Sequence, residues 1–293
     1  MATDSSGKDL EEMLTRVTGQ SFKTSHREQL GGGCINGAER LIGSDGRQYF
    51  IKHNKAAFLP VFAAEMVALR AIADSGTLRV PIPIGICQSG EQSILVLEYL
   101  AMQGSGGDWA RMGRELANLH RSTADFFGWP EDNWIGSTPQ INNRHDSWVD
   151  FYASCRLGPQ INWARKKGLS LKTADALIKA LPGFFNTYNP EPSLLHGDLW
   201  AGNAGFLGEG TPVIYDPASY YGDRETDLAM TELFGGFPSE FYAAYNDVWP
   251  LDAGYQIRKE LYNLYHILNH FNIFGGGYGT QADSIIRSLL SVL

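Results

Sequence analysis

The chain is expected to fold as an α+β protein of two lobes. Residues 1–100 would form a small, mostly β lobe with one helix, and 101–293 a larger helical lobe. Three observations lead there. Between Arg27 and Leu97, short extended runs are punctuated by glycine turns. After the flexible polar stretch Gln103-Gly104-Ser105-Gly106-Gly107, apolar residues recur at helical spacing. The 293 residues, 43% apolar and 19% charged, supply core enough for stability without covalent staples.

The elements follow in order. Residues 10–20 read as a short amphipathic helix. Gly43-Ser44-Asp45-Gly46 marks a hairpin joining Glu39–Ile42 to Gln48–His53. Phe58–Ala73 places Phe62, Met66, Leu69 and Ile72 at helical spacing, with Pro60 in the first turn, where its missing N–H costs little. Strands are expected at Ile82–Cys87 and Ser93–Leu97. Helices are expected at 109–123, 147–167, 171–187, 226–234, 238–247, 253–274 and 281–292. The stretch 125–143 is irregular, rich in Gly, Pro, Asn and Trp. Asn203–Leu207 and Pro212–Asp216 read as a hairpin.

A net charge of −8 without Lys/Arg clusters argues against nucleic-acid or anionic-membrane partners and suits a small neutral or cationic substrate. Cys34, Cys87 and Cys155 are too few and scattered for a disulfide framework or a zinc site, and an odd count fits a reducing compartment. The polar, acidic N-terminus does not read as a targeting signal, and no apolar run is expected to reach membrane-spanning length. The expectation is a cytoplasmic protein, monomeric, with a dimer as the alternative.

The most informative segment is His196-Gly197-Asp198-Leu199-Trp200-Ala201-Gly202-Asn203, followed by Ile214-Tyr215-Asp216. This H-x-D-x-x-x-x-N pattern, with an aspartate at a following strand end, suits phosphoryl transfer from ATP. Asp198 would orient the attacking hydroxyl and accept its proton. Asn203 and Asp216 would hold Mg2+ through oxygen. Gly31-Gly32-Gly33-Cys34-Ile35-Asn36 lies between two expected strands, where backbone N–H groups can approach phosphate oxygens. It lacks both the spaced G-x-G-x-x-G pattern and a P-loop ending. Cys34 there would be a candidate reactive thiol. In Tyr49-Phe50-Ile51-Lys52, Lys52 would contact the α- and β-phosphates and pair with Glu65, with His53, Lys55 and Arg70 as competing charges. Backbone groups of Glu98, Tyr99 and Leu100 would meet the adenine. Trp200 could stack on a sugar or cation. Asp227 could cap the next helix or brace the catalytic loop with His196. His120 reads as a packing or bracing residue. His266 and His270, one turn apart, read as structural, without a third ligand.

These pieces resemble the fructosamine-3-kinase, or ketosamine-3-kinase, family within the protein-kinase-like fold. The resemblance rests on Leu30 through Asn36, Phe50-Ile51-Lys52, Glu65, Leu95 through Leu100, Phe127-Gly128-Trp129 and Trp148 through Tyr152. It rests further on the catalytic segment and on two more specific blocks, Asn133-Trp134-Ile135-Gly136-Ser137-Thr138-Pro139-Gln140 and Gly222-Asp223-Arg224-Glu225-Thr226-Asp227-Leu228-Ala229-Met230. It implies ATP- and Mg2+-dependent phosphorylation of the sugar 3-hydroxyl of ketosamines, on small amines or on glycated proteins, leading to deglycation. It implies the roles given above for Asp198, Asn203, Asp216, Lys52 and Glu65, and Asp223 is a further candidate substrate contact. Pro217-Ala218 after Asp216 departs from protein kinases, so a phosphorylated activation loop is not expected. The rival readings are a kinase of another small alcohol, such as an aminoglycoside or choline, and a non-catalytic ATP-binding protein.

Overall fold

A computed structural model of the chain describes residues 5–31, 36–103 and 106–293. It divides into two compact units, 1–107 with 206–216, and 108–205 with 217–293.

The first unit is built on a five-stranded antiparallel sheet. Helix α1 (Ser5–Thr18) precedes β1 (Thr24–Leu30), β2 (Gly37–Gly43) and β3 (Gln48–Lys55). Helix α2 (Leu59–Asp74) then leads to β4 (Pro83–Ser89) and β5 (Gln92–Glu98). The order across the sheet is β1-β2-β3-β5-β4, and the expected hairpin joins β2 to β3 with Ile42 opposite Gln48. Side chains alternate across a strand, so Tyr49 and Ile51 share one face with Leu10, Met13 and Leu14 of α1, and Lys52 points to the other. Helix α2 packs against β4 and β5 through Phe62, Leu69 and Ile72.

The stretch Ala56–Asp74 corrects one expectation. Its 19 residues reach a window hydropathy of 1.7, long and apolar enough to cross a membrane by length and composition. Within the fold this helix lies on the sheet and carries the charged Glu65.

Residues 206–216 group with the first unit although they follow the catalytic segment. Ile214 N–H donates to Arg79 C=O (3.0 Å) and Gln103 N–H to Phe206 C=O (2.8 Å), ties that sequence distance conceals.

The second unit is mainly helical. Helix α3 (Trp109–His120) is followed by a hairpin, β6 (Asn133–Ile135) and β7 (Thr138–Gln140), inside the stretch expected to be irregular. The run expected at 147–167 is α4 (Trp148–Phe151), a π-helical turn (Tyr152–Leu157) and α5 (Gly158–Lys166). Pro159 has no N–H for the Cys155 carbonyl one turn back. The Arg156 guanidinium donates to that oxygen instead (3.0 Å). The run expected at 171–187 breaks into α6 (Ala174–Ala180) and a 3-10 turn at Pro182. Then comes β8 (Ser193–Leu194), paired with β11 (Tyr221–Gly222); between them in sequence run the short strands β9 (Ala204–Phe206) and β10 (Pro212–Ile214), the latter in the first unit, that lead to Asp216. The chain ends in α7 (Glu225–Leu233), α8 (Ser239–Val248), α9 (Tyr255–Phe274) and α10 (Tyr278–Ser291). Helix α9 packs against α5, α7 and α10, and α3 against α8.

Candidate active site

In the first unit the decisive group is a buried ammonium. Lys52 Nζ, 7% exposed, lies 2.7 Å from Glu65 Oε1 and 2.5 Å from Asp216 Oδ1. None of the competing charges takes its place. Burial alone would lower the pKa of this amine, but the charges of Asp216 and Glu65 outweigh it and hold it above its ordinary value. Glu65 is pushed up by burial, partly offset by Lys52. Asp216 keeps 44% of its side chain exposed and sits at φ +59°, the left-handed region that Asp tolerates better than most residues.

The flanking phosphate-loop residues are described at its two ends. Gly31 is exposed, and Asn36 Oδ1 accepts from Asn54 Nδ2 at 2.7 Å. Gly32, Gly33, Cys34 and Ile35 lie outside the described residues. At the end of β5, Glu98 N–H already donates to Ile82 C=O (2.8 Å), and its carboxylate pairs with Arg79 and the Ile82 N–H. Any adenine contact at Glu98 therefore falls to its carbonyl. Tyr99 lies under the Arg40 guanidinium at 4.6 Å, and Leu100 is half-buried.

In the second unit, the catalytic segment leaves β8 and is held from beneath. Asp227 Oδ2 accepts the His196 N–H at 2.7 Å and Oδ1 the Gly197 N–H at 2.8 Å. His120 Nε2 lies 3.1 Å from Oδ2, and its Nδ1 lies 2.8 Å from the Tyr245 hydroxyl. Burial would raise the Asp227 pKa, but His120, His196 and the Gly197 amide outweigh it and hold it low. Asp227 is not the cap of α7; Asp223 Oδ1 takes the Glu225 N–H instead (3.0 Å). Gly197 sits at φ +84°, and a Cβ there would lie 2.2 Å from the Ala218 carbonyl oxygen, so only glycine fits.

Asp198 itself is half-buried. Its backbone N–H donates to His196 Nδ1 (3.2 Å), which makes that ring nitrogen an acceptor. Asn203 Nδ2 donates to Asp198 O (2.9 Å) and Oδ2 (3.3 Å). The amide nitrogen being committed there, the Asn203 carbonyl oxygen remains as the hard donor. Leu199 anchors the loop in the core, and Trp200 stays 38% exposed, edge-on to Phe234 at 6.3 Å.

Asp223 requires a correction. It is fully buried, accepting from the hydroxyls of Tyr188 (2.9 Å) and Tyr262 as well as the Glu225 N–H. A carboxylate so enclosed is structural and does not reach a substrate. His270 Nδ1 donates to the His266 carbonyl, and burial lowers the His266 pKa to about 3. Among the described residues no cluster of three His, Cys, Asp or Glu could hold a metal. A cation carried in by phosphates needs only one or two protein oxygens. Asn203 and Asp216 each offer one of the right chemistry.

The grip of Asn133 and Gln140 on the residues after Asp216, and the buried Arg156, had no assigned role at the sequence level. The only signal was the specificity of the Asn133–Gln140 block.

Comparison with known proteins decides the family. The fructosamine kinase family model matches residues 7–292. The chain belongs to the fructosamine kinase family. A Synechocystis protein named probable ketoamine kinase is 47% identical over 284 residues, covering 96% of each chain. Mouse ketosamine-3-kinase is 36% identical, covering 96% of this chain and 99% of its own. A Haemophilus somnus crystal structure, provisionally assigned as a fructosamine-3-kinase, is 30% identical with TM-score 0.89 over 97% of both chains. Solved phosphotransferases at 17% identity superpose with TM-scores of 0.58 and 0.61, a likeness that shows the protein-kinase-like fold alone. As a member of the fructosamine kinase family, the chain is a phosphotransferase with an alcohol acceptor, and ATP is the implied donor.

Proposed function

We propose that the protein transfers the γ-phosphoryl group of ATP to the sugar 3-hydroxyl of ketosamines, in the cytoplasm. The observation that carries the reading is the Lys52 ammonium, buried and shared between Glu65 and Asp216. A cation fixed in that way is an anchor for the α- and β-phosphates. Asn203 and Asp216 are the residues that would hold Mg2+, which would supply positive charge against the phosphates in the transition state.

Asp198 aligns the sugar hydroxyl and takes its proton as the bond to phosphorus forms and ADP leaves. Asp227, through the His196 and Gly197 amides, holds the loop so that this alignment does not have to be found at each turnover. Phosphate is a better leaving group than hydroxide. Its loss from C3 and hydrolysis of the resulting imine free the amine, which is deglycation. The names of the Synechocystis and mouse relatives support this acceptor over an aminoglycoside or choline. Small ketosamines are the substrates that the family implies; we extend the reading to glycated lysines on proteins, and to a monomer acting alone. The free thiols of Cys87 and Cys155 are in keeping with a reducing cytoplasm.

The test is ATP consumption with fructosamine-, ribulosamine- and erythrulosamine-lysine adducts, wild type against Asp198→Asn. A fall in kcat of roughly 10²–10⁴-fold is expected. Near-normal turnover by the variant would remove Asp198 from its role, and turnover of choline or an aminoglycoside alone would change the acceptor.

A further inference from the structure

The Asn133–Gln140 block has no part in the proposed chemistry, yet it carries buried polar side chains. Gln140 and Asn133 are 2% and 4% exposed. A buried amide stays only where its hydrogen bonds are met. Both make such bonds, and each reaches the backbone just after Asp216. Gln140 Nε2 donates to the Ala218 carbonyl (3.0 Å) and to Asn133 Oδ1 (2.8 Å), and its Oε1 accepts from the Tyr265 hydroxyl (2.7 Å). Asn133 Nδ2 donates to the Ser219 carbonyl (2.8 Å). Asn142 Nδ2 donates to Asn133 Oδ1 (2.9 Å), and Asn142 Oδ1 in turn accepts from Arg156 Nη2 (2.8 Å). The Arg156 guanidinium lies 3.8 Å above the Tyr220 ring. Ala218, Ser219 and Tyr220 are thus each held by a different side chain of one network.

The held segment is in turn the mould for the catalytic loop. Ala218 N–H donates to the His196 carbonyl (2.9 Å), and Leu195 N–H donates to the Tyr220 carbonyl (3.1 Å). Gly197 is pressed so closely on the Ala218 oxygen that a Cβ would clash. The oxygen that Gln140 fixes is therefore the surface against which the residue before Asp198 is shaped. Protein kinases hold the segment after the metal aspartate by a phosphorylation-dependent contact. Here, buried amides and the Arg156 guanidinium hold it.

We propose that Gln140 and Asn133 are positioning residues for phosphoryl transfer. By fixing Ala218 and Ser219, they set the position of the Asp198 loop and make the enzyme active without a covalent switch. This rests on the kinase reading above, which wild-type turnover of a ketosamine tests on its own. The variants are compared with wild type on whichever acceptor that assay identifies, so the two ideas fail separately.

The experiment is steady-state kinetics with thermal melting on Gln140→Met, Asn133→Asp and Tyr265→Phe. A displacement of about 1 Å at a catalytic group can cost on the order of 100-fold. Gln140→Met and Asn133→Asp are expected to lose about 10–100-fold in kcat, with KM for ATP changed by less than about threefold. Tyr265→Phe removes one hydroxyl and leaves both amides in place; a loss of about 3–10-fold in kcat is expected. Leu289→Ala, a core cavity in α10, a helix that contributes no side chain to the network, serves as control: its Tm falls while kcat at a permissive temperature stays within twofold. The proposal is overturned if folded Gln140→Met or Asn133→Asp keeps kcat near wild type, or if Leu289→Ala loses as much turnover for the same fall in Tm. Should the amide variants fail to fold, an unchanged kcat in Tyr265→Phe overturns it equally.

Discussion

At the scale of single residues, Gly197 shows how little freedom the catalytic segment has. Its φ is +84°, and the Ala218 oxygen lies 2.2 Å from where a Cβ would stand; the two constraints act together. Gly197→Ala combines left-handed strain with a backbone clash, and a loss of about 2–4 kcal/mol is expected. Urea denaturation of the variant measures it, and unchanged stability would show that the loop can yield. The pairings of Asp198 with Asn203 and of Lys52 with Glu65 were readable from the sequence because kinase chemistry demands particular atoms at particular spacings. Asp223 was misread for an equally physical reason. A carboxylate in a Gly-Asp-Arg-Glu block looks exposed until Tyr188 and Tyr262, far along the chain, close over it.

At the scale of elements, helix periodicity was legible and long-range ties were not. The hairpin of β2 and β3, helix α2 and helix α9 follow directly from turn residues and apolar spacing. The β6–β7 hairpin did not, because three-residue strands carry too little alternation to read. Nor did the bond between α7 and α9. Arg258, 2% exposed, donates Nε to Glu225 Oε2 (2.7 Å) and Nη2 to Glu225 Oε1 (2.9 Å), and Nη2 also reaches Asp252 (2.7 Å). Removing one partner of such a pair leaves a buried charge alone. Arg258→Leu should cost about 3–5 kcal/mol, and Glu225→Leu added to it should restore part of that. A double-mutant cycle by denaturation checks it, and purely additive losses would deny the coupling.

At the scale of the whole molecule, two buried groups set opposing pH dependences. His266 has its pKa lowered by burial from 6.5 to about 3, with His270 and Arg156 adding to the effect and Asp227 opposing it. The neutral ring is the folded form. Its contribution is complete above pH 6.5 and is lost as pH falls from there towards 3. Glu225 runs the other way: burial and Asp223 raise it from 4.5 to about 7, so acidification across that interval favours the fold. Wild type should therefore show a shallow net slope. Against it, His266→Gln should gain about 2 kcal/mol in relative stability on going from pH 7 to pH 5. A difference between the two proteins that does not vary with pH would exclude His266 as the source.

One consequence follows from the ammonium already engaged by Asp216. A nucleotide that arrives bare must compete with a carboxylate for its anchor. Were Asp216 to hold a divalent ion instead, the Lys52 ammonium would be left to Glu65 and the phosphates. Nucleotide and counter-ion would then enter as partners in an exchange of charges, and the metal-free triphosphate would meet a lock already turned.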